Sequence, residues 1–297
     1  MTQQRANVLL VLVTFGWGAS YLFTKFAVAE LQPFNLVAIR FCIAFVVMYA
    51  LCYSKIKQPS RQMLLASATL GILLCAVSAV FGYALQVTAA STASFLISTT
   101  VVFVPLLMML ITRKLPSRQV AIGLGITLIG ISLFSIKGTM TLEFGMVLCL
   151  VTALLYAVHI VLNNYYVRKQ LDGIALGVYQ LGFGSAFAFV CMPFFETPTL
   201  PQSTLGWTSL FMLAIVCSAF AVVVQSAVQK YTSAVHTGFI LSLEPIFAAL
   251  LGFLFLQEVM TTQELVGAAF IFAGMLVANY VPKKESVVSQ EPHLSSP

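Results

Sequence analysis

Apolar segments long enough to cross a bilayer follow one another along almost the whole of this 297-residue chain. A membrane core takes roughly 20 apolar residues of helix, and only 8% of the chain is charged. The chain is therefore predicted to be an all-α polytopic membrane protein, because the strands of a membrane barrel would be shorter and would alternate in polarity. Ten transmembrane helices are predicted, at about residues 6–28, 33–53, 63–86, 91–112, 118–136, 142–165, 173–195, 205–229, 233–256 and 262–281.

The positions of lysine and arginine predict the orientation of these spans. With the N-terminus inside, the segments on the cytoplasmic side hold twelve of the fifteen basic residues, whereas the opposite side holds Lys137 and five glutamates. Because cytoplasmic loops are enriched in lysine and arginine, both termini are predicted to be cytoplasmic, in a bacterial-type inner (plasma) membrane. The net charge of +6 then reflects topology, and binding to nucleic acid is not expected. Residues 283–297 are polar and predict a disordered cytoplasmic tail.

Motifs for catalysis or metal binding are missing from the sequence. The six cysteines occur singly, and there is no CxxC pair, Walker motif or cluster of cysteine and histidine. We therefore expect no cofactor, no metal and no enzymatic activity. The expected partners are the lipid bilayer and a small-molecule substrate, and a homodimer is left open.

The chain also repeats itself at an offset of 144 residues, which aligns Thr88 with Thr232 and Gln119 with Gln263 without a gap. The same offset pairs two glycines of the fifth span with two glycines of the tenth, and these predict packing faces: Gly123, Gly130, Gly267 and Gly274. Because each repeat has five helices, the halves are predicted to cross the membrane in opposite senses. Residues 1–137 and 138–282 are the predicted repeats. Inverted repeats with a site near the midplane are a transporter architecture.

Short motifs in both halves resemble, in their order and spacing, the EamA branch of the drug/metabolite transporter superfamily. They lie at residues 17–21, 85–107, 230–234, 242–245 and 255–258, with Gln180 in the seventh span. The resemblance implies ten helices in two inverted repeats, and alternating access to a central cavity. It also implies that the fifth and tenth helices support packing or dimerisation. Members mostly export or exchange small metabolites, drugs and amino acids, and YddG-like members export aromatic amino acids. The resemblance thus favours an exporter of amino acids or related metabolites.

Glu244 is the first candidate site residue, because it lies close to the predicted midplane of the ninth span. A carboxylate at that depth is costly and usually faces a bundle interior or a water-filled path. Two interpretations stay open: Glu244 binds a proton or a substrate amine, or it is a structural acid that caps the turn loosened by Pro245. Pro245 and Pro105, in equivalent helices, are predicted hinges because proline removes a helical hydrogen bond.

Other polar and aromatic side chains are candidates for the wall of a substrate cavity, although ordinary helix packing is an alternative for each. They form pairs three or four residues apart: Trp17 with Tyr21, Ser94 with Ser98, Tyr156 with His159, and Gln225 with Gln229. Arg40 lies roughly 10 Å from the outer end of its helix. It either pairs internally, binds a substrate carboxylate or extends to the surface. Lys25 is expected to extend to the surface.

Two other functions remain compatible with the sequence. A proton-coupled multidrug or cation antiporter would use Glu244 as a site shared by proton and cation. A membrane scaffold or sensor would move no solute, although an inverted repeat with buried polar residues argues against that function.

Overall fold

The computed structural model describes residues 3–56, 58–113, 118–135, 143–232, 237, 240–241 and 243–279. Its helices are α1 (Gln3–Ala27), α2 (Pro33–Ile56), α3 (Arg61–Val87), α4 (Ala90–Ile97), α5 (Thr100–Thr112), α6 (Arg118–Ser135), α7 (Phe144–Arg168), α8 (Gly173–Phe195), α9 (Thr204–Met212), α10 (Ala221–Val228), α11 (Glu244–Leu256) and α12 (Thr262–Asn279). A π-helical segment, Leu213–Phe220, joins α9 to α10, and a 3₁₀ turn, Gln229–Tyr231, follows α10. Among the described residues, seven helical stretches are long and apolar enough to cross a membrane, and three shorter apolar helices accompany them. The predicted tail and the boundary between the predicted repeats lie outside the described residues.

The second parts of the two repeats have the same backbone plan. Helices α5 and α11 begin and end at positions 144 residues apart, and so do α6 and α12. Each repeat also ends its shorter helix with a residue in the left-handed region, Arg113 at a φ of 55° and Gln257 at a φ of 54°. The offset seen in the sequence is thus a repeat of structure.

Helices α6 and α12 pack against each other through the four repeated glycines. A methyl group added to Gly130 would lie 2.7 Å from the Gly267 carbonyl oxygen, and one added to Gly274 would lie 2.6 Å from the Gly123 carbonyl oxygen. Since these two contacts exchange equivalent positions, the helices are related by a local pseudo-twofold axis. The prediction that the glycines form packing faces is confirmed.

The fourth predicted span is two helices rather than one. The break lies at Ser98 and Thr99, where the Ser98 hydroxyl donates to the Ser94 carbonyl (2.7 Å) and the Thr99 hydroxyl donates to the Leu96 carbonyl (2.6 Å). Hydroxyl groups that bond to nearby carbonyls compete with the helical backbone. The predicted span over 91–112 is thus present as the apolar stretch Ala90–Ile111, and this break divides it into α4 and α5.

The two hinge candidates have different places in their helices. Pro245 lies in the first turn of α11, where its missing N–H group leaves no helical bond unmade. Pro105 lies inside α5, where the same gap falls within the helix. Most of the chain just before Glu244 lies outside the described residues, and the hinge roles stay predictions.

Carboxylates of the predicted outer loops accept hydrogen bonds at the N-termini of helices. Glu196 accepts hydrogen bonds from the backbone N–H groups of Phe34 and Asn35 at the start of α2 (2.7 and 2.8 Å). Glu258 does the same at the start of α4 (2.8 and 2.9 Å). Negative charge at a helix N-terminus is stabilised by the free N–H groups and by the helix dipole.

Lys25 binds the C-terminal end of a helix. Its ammonium group donates to the carbonyl oxygens of Leu85 (2.7 Å) and Thr88 (2.9 Å), where α3 finishes. A cation is favourable at a helix C-terminus. These carbonyls lie at the predicted outer end of α3, so the expectation that Lys25 extends to the membrane surface stays a prediction.

Candidate functional site

A cavity of about 80 Å³ lies inside the helix bundle. We call it the main cavity because five of the predicted site residues line it: Trp17, Tyr21, Arg40, Tyr156 and Glu244. A second cavity of about 20 Å³ adjoins it and has Tyr156, Glu244 and Ser98 in its wall. Tyr156 and Glu244 thus stand between the two spaces.

Glu244 is the first residue of α11 and presents its carboxyl group to both cavities. The N-terminus of a helix favours negative charge, so the fold offsets part of the cost of a carboxylate at this depth. The Tyr21 hydroxyl is hydrogen-bonded to that carboxylate, and Tyr156 lines both cavities together with Glu244.

The close approach of α1 to α11 depends on Gly18. A methyl group at this position would lie 2.5 Å from Cβ of Phe247 and 3.1 Å from the carbonyl oxygen of Glu244. Only a residue without a side chain fits there, because contacts below 3.0 Å force neighbours to move. Gly18 therefore sets the distance between the aromatic face of α1 and Glu244.

Arg40 is buried, at 7% exposure, and lines the main cavity. Its Nε donates to the Ser218 hydroxyl (2.6 Å), and its guanidinium lies 5.3 Å from the centre of the Phe41 ring. Within the described part of the chain no carboxylate pairs with it. A guanidinium has five N–H donors, so Arg40 retains donors that a ligand in the cavity could use.

Aromatic rings form much of the remaining wall. Trp17 meets Tyr156 edge to face, with ring centres 5.7 Å apart, and Tyr21 meets Phe81 in the same way at 4.9 Å. The Trp17 indole donates to the carbonyl of Cys217 (2.9 Å), which lies in the π-helical segment. That segment also carries Ser218, the partner of Arg40. π-helical turns are rare and often occur at functional sites. The position of this segment beside the cavity therefore supports a functional role for the cavity.

Three of the predicted substrate contacts lie away from the cavity wall. His159 is fully buried, with Nε2 hydrogen-bonded to Gln180 Oε1 (2.8 Å), and Ser94 donates to the Ser91 carbonyl (2.7 Å). Gln225 lies behind Tyr156 and donates to its hydroxyl (3.4 Å). Substrate contact by these three residues stays a prediction, and in this structure each is a supporting residue.

Several wall residues were missed by the sequence reasoning. Thr152 lies four residues before Tyr156 and shares its helix face, so the spacing that identified Tyr156 also contained Thr152. Phe41 follows Arg40 directly, and Phe81 lies in α3, with its ring against that of Tyr21. Ser218 carried no signal, because nothing in the sequence marks a π-helical turn.

The bundle and its buried, partly charged cavity define a polytopic membrane protein built to accommodate a solute. The profile of the EamA-like transporter family matches residues 4–136 and 143–280. The chain belongs to the EamA-like transporter family, which confirms the resemblance and the all-α polytopic fold class. It is a multi-pass membrane transporter, of a transporter family and not of an enzyme family.

Similar proteins agree with this assignment. Two proteins of Archaeoglobus fulgidus, each named "Uncharacterized transporter", are 31% identical over 284 residues and 26% identical over 278 residues. The first alignment covers 91% of this chain and 96% of the relative, and the second covers 92% and 85%. A solved protein structure has a TM-score of 0.70 at 19% identity and covers 93% of this chain and 96% of its own, which shows a shared fold.

Proposed function

We propose that this transporter exports amino acids or related small metabolites across the plasma membrane by alternating access to the main cavity. One observation carries the proposal: Arg40, which has no carboxylate partner in the described chain, and Glu244 line the same buried space. Two opposite charges that do not neutralise each other there suit a solute that carries both charges.

The chemistry of the wall fits an amino acid. The guanidinium of Arg40 matches the geometry of a carboxylate, and the carboxylate of Glu244 matches an ammonium group. Between them, the rings of Trp17, Tyr21 and Tyr156 offer apolar surface with polar edges. A small amphipathic zwitterion would satisfy all of these groups together.

The small volume of the cavity supports a mechanism in which the surrounding helices move. A space of about 80 Å³ holds a few water molecules, whereas pockets for drug-sized ligands measure roughly 300–1,000 Å³. A metabolite would therefore enter only after the helices around the cavity separate. In a pair of repeats such separation would open one side of the membrane at a time.

The test is flux through purified protein in liposomes, with three related solutes: phenylalanine, phenethylamine and 3-phenylpropionate. We expect phenylalanine to move fastest. Arg40→Gln should lower phenylalanine flux by roughly 10-fold or more and remove any flux of the acid, while sparing the amine. Glu244→Gln should spare the acid instead. Ser132→Ala, an exposed hydroxyl on α6, is the matched control.

Equal effects of both substitutions on all three solutes would contradict the proposed roles of the charges. A protein that binds these solutes without moving any of them would favour the non-transporting scaffold or sensor.

A second candidate function is a proton-coupled antiporter of organic cations. It is favoured by the setting of Glu244 among aromatic rings, since cations are attracted to ring faces as well as to carboxylates. An imposed pH gradient should then drive phenethylamine against its own gradient. Glu244→Gln would abolish that movement and Arg40→Gln would not. The zwitterion carrier predicts the same effects of these substitutions on phenethylamine, so uphill movement driven by the pH gradient is the result that separates the two functions.

A homodimer stays a proposal as well. Ile122, Leu128 and Leu265 on α6 and α12 are exposed apolar side chains that lipid or a second copy could cover. Counting subunits by single-molecule photobleaching in liposomes would decide between these alternatives.

A further inference from the structure

Polar side chains of α7 are hydrogen-bonded to α8 and to the 3₁₀ turn Gln229–Tyr231, and α8 is in turn hydrogen-bonded to α10. We call these residues the polar seam: His159, Asn163, Asn164, Gln180, Ser226 and Gln229. Five of the six are fully buried, with an exposure of 0%, and Asn164 has an exposure of 9%. An interface of amides is unusual inside a membrane, where small and apolar residues give the closest helix contacts.

Hydrogen bonds join the two sides of the polar seam. His159 Nε2 bonds to Gln180 Oε1 (2.8 Å), and Gln180 Nε2 donates to the Ser226 hydroxyl (2.9 Å). Asn163 donates through its amide group to the side-chain oxygen of Gln229. The contacts therefore link α7 to α8 and to the 3₁₀ turn that follows α10.

The hydrogen bonding of the polar seam is nevertheless incomplete. Nδ1 of His159, Oδ1 of Asn163 and Nε2 of Gln229 are buried and lack a hydrogen-bond partner among the residues that the structure describes. Buried polar atoms without partners cost free energy, and water or a polar solute would satisfy them. The closed seam thus favours hydration.

The contact between α8 and α10 beside the polar seam is formed by glycines instead of amides. A methyl group at Gly173 would lie 2.4 Å from the Ser226 carbonyl oxygen, and one at Gly177 would lie 2.8 Å from Cα of Val223. The backbones of α8 and α10 are therefore in direct contact through glycines. The contact of α10 with α8 is thus close-packed, whereas the polar contact of α7 with the end of α10 is incompletely bonded.

The backbone on both sides of α10 is irregular. This helix has eight residues and stands between the π-helical segment Leu213–Phe220 and the 3₁₀ turn Gln229–Tyr231. Breaks of this kind inside a span often mark hinges. A short helix between two irregular turns can change its distance from a neighbour without unfolding the span.

The polar seam extends from the cavity to one end of the bundle. It starts next to Tyr156, a cavity residue whose hydroxyl accepts from Gln225 of α10 (3.4 Å). It finishes at Asn164, whose side-chain oxygen accepts from Nε of Arg168 (2.9 Å), the last residue of α7. The positive charges at that end predict the cytoplasmic face.

We propose that the polar seam is the closed cytoplasmic half of the transport route. When α7 and α10 separate, the unpartnered amide and imidazole atoms become the wall of a water-filled passage to Glu244. The inference rests on the proposed function, because a route is needed only if a solute moves.

Cysteine accessibility tests the proposal without knowledge of the substrate. Ser226→Cys and Asn163→Cys are treated, in full-length protein in inverted vesicles, with the charged reagent methanethiosulfonate ethylammonium. Peptide mass spectrometry follows each position separately, so that the natural cysteines can stay. If the open state has a population of roughly 0.1–10%, both positions should react at about that fraction of the rate of Gln58→Cys, which is exposed.

Thr127→Cys is the matched control, because Thr127 is equally buried (1% exposed) but lies in the glycine contact of α6 with α12. It should not react. The proposal is overturned if both seam cysteines are as inert as Thr127→Cys, or if they react only with reagent applied from the opposite face.

A paired substitution separates a gate from a static contact. Asn163→Leu with Gln229→Leu removes both unpartnered amides while keeping similar volume, and replacement of both partners can be neutral or stabilising. We expect an unchanged or higher melting temperature and at least about a tenfold loss of Ser226→Cys reactivity, because the open state loses its advantage in water. A lower melting temperature with unchanged reactivity would identify the seam as structural and refute the gate.

The two proposals fail in different ways. A seam that reacts as expected in a protein that moves no solute would refute the proposed function. A protein that transports phenylalanine through an inert seam would refute the gate and leave the function intact.

Discussion

Glu244 shows how one residue can be both structural and available to a ligand. It begins α11, so the helix N-terminus stabilises its charge, and Pro245 after it leaves no helical bond unmade. The carboxyl group itself lines the cavity together with Tyr21. The two interpretations that the sequence left open are therefore compatible: the backbone position of Glu244 serves the fold, and its side chain faces the solute space.

Gly18 is the residue on which the geometry of that site depends. Gly18→Ala should lower the free energy of unfolding by roughly 1–3 kcal/mol, because the added methyl would lie 2.5 Å from Cβ of Phe247. Gly16→Ala, half a turn away, adds a methyl at an ordinary distance of 3.6 Å from Val216. It should be neutral, or stabilising by up to about 1 kcal/mol through helix propensity.

Unfolding of the two variants in detergent, followed by circular dichroism, checks this difference. Equal stability of the two proteins would show that α1 can shift freely against α11 and would remove the argument for a fixed distance to Glu244.

At the level of elements, the spans were predictable and their interruptions were not. Runs of apolar residues placed the spans well, because burial in lipid depends on composition over a whole turn or more. The break at Ser98 and the π-helical segment depend on single hydrogen bonds, which hydropathy does not register. The same limit applies to the site: aromatic pairs indicated Trp17 and Tyr156, but Ser218 reaches Arg40 only through the irregular backbone.

At the predicted outer face, a carboxylate that binds the start of a helix makes the stability of the protein depend on pH. Glu30 accepts hydrogen bonds from the backbone N–H groups of Gln202 (2.8 Å) and Ser203 (3.1 Å), and from the Ser203 hydroxyl. These bonds, that from the Ser203 hydroxyl first, lower the pKa of the Glu30 carboxyl group below its ordinary value. A group with a lowered pKa stabilises the fold above its unfolded pKa and loses that effect as the pH falls through its folded pKa.

Glu30→Gln should therefore be less stable than the natural protein at pH 7. The difference should shrink as the pH falls below about 4.3, the ordinary pKa of glutamate, and disappear once the pH is below the lowered pKa of Glu30. Thermal unfolding across that range measures it. Glu143→Gln is the control, since Glu143 precedes α7 without a side-chain capping bond. A difference for Glu30→Gln that persists in acid would show that shape and not charge holds the start of α9.

For the whole molecule, the two repeats share a backbone and differ in chemistry. Thr100 begins α5 at the position equivalent to Glu244, and its hydroxyl donates to carbonyls of Ile97 (2.6 Å) and Ala153 (3.1 Å). The first repeat thus uses its hydroxyl to satisfy backbone, whereas the second presents a carboxylate to the cavity. Arg40 supplies the opposite charge from the first repeat. A site with two charges is therefore complete only when both repeats enclose it.

The orientation of the protein in the membrane decides which side of the site faces the cytoplasm. The distribution of lysine and arginine predicts that orientation. Thr197, in the connection from α8 to α9, should face outward, and Gln58, in the connection from α2 to α3, should face the cytoplasm; both are exposed. On intact cells an impermeant maleimide should label Thr197→Cys and not Gln58→Cys, and permeabilisation should expose the second. The converse labelling would reverse the molecule and make the polar seam the outer half of the transport route instead of the cytoplasmic half.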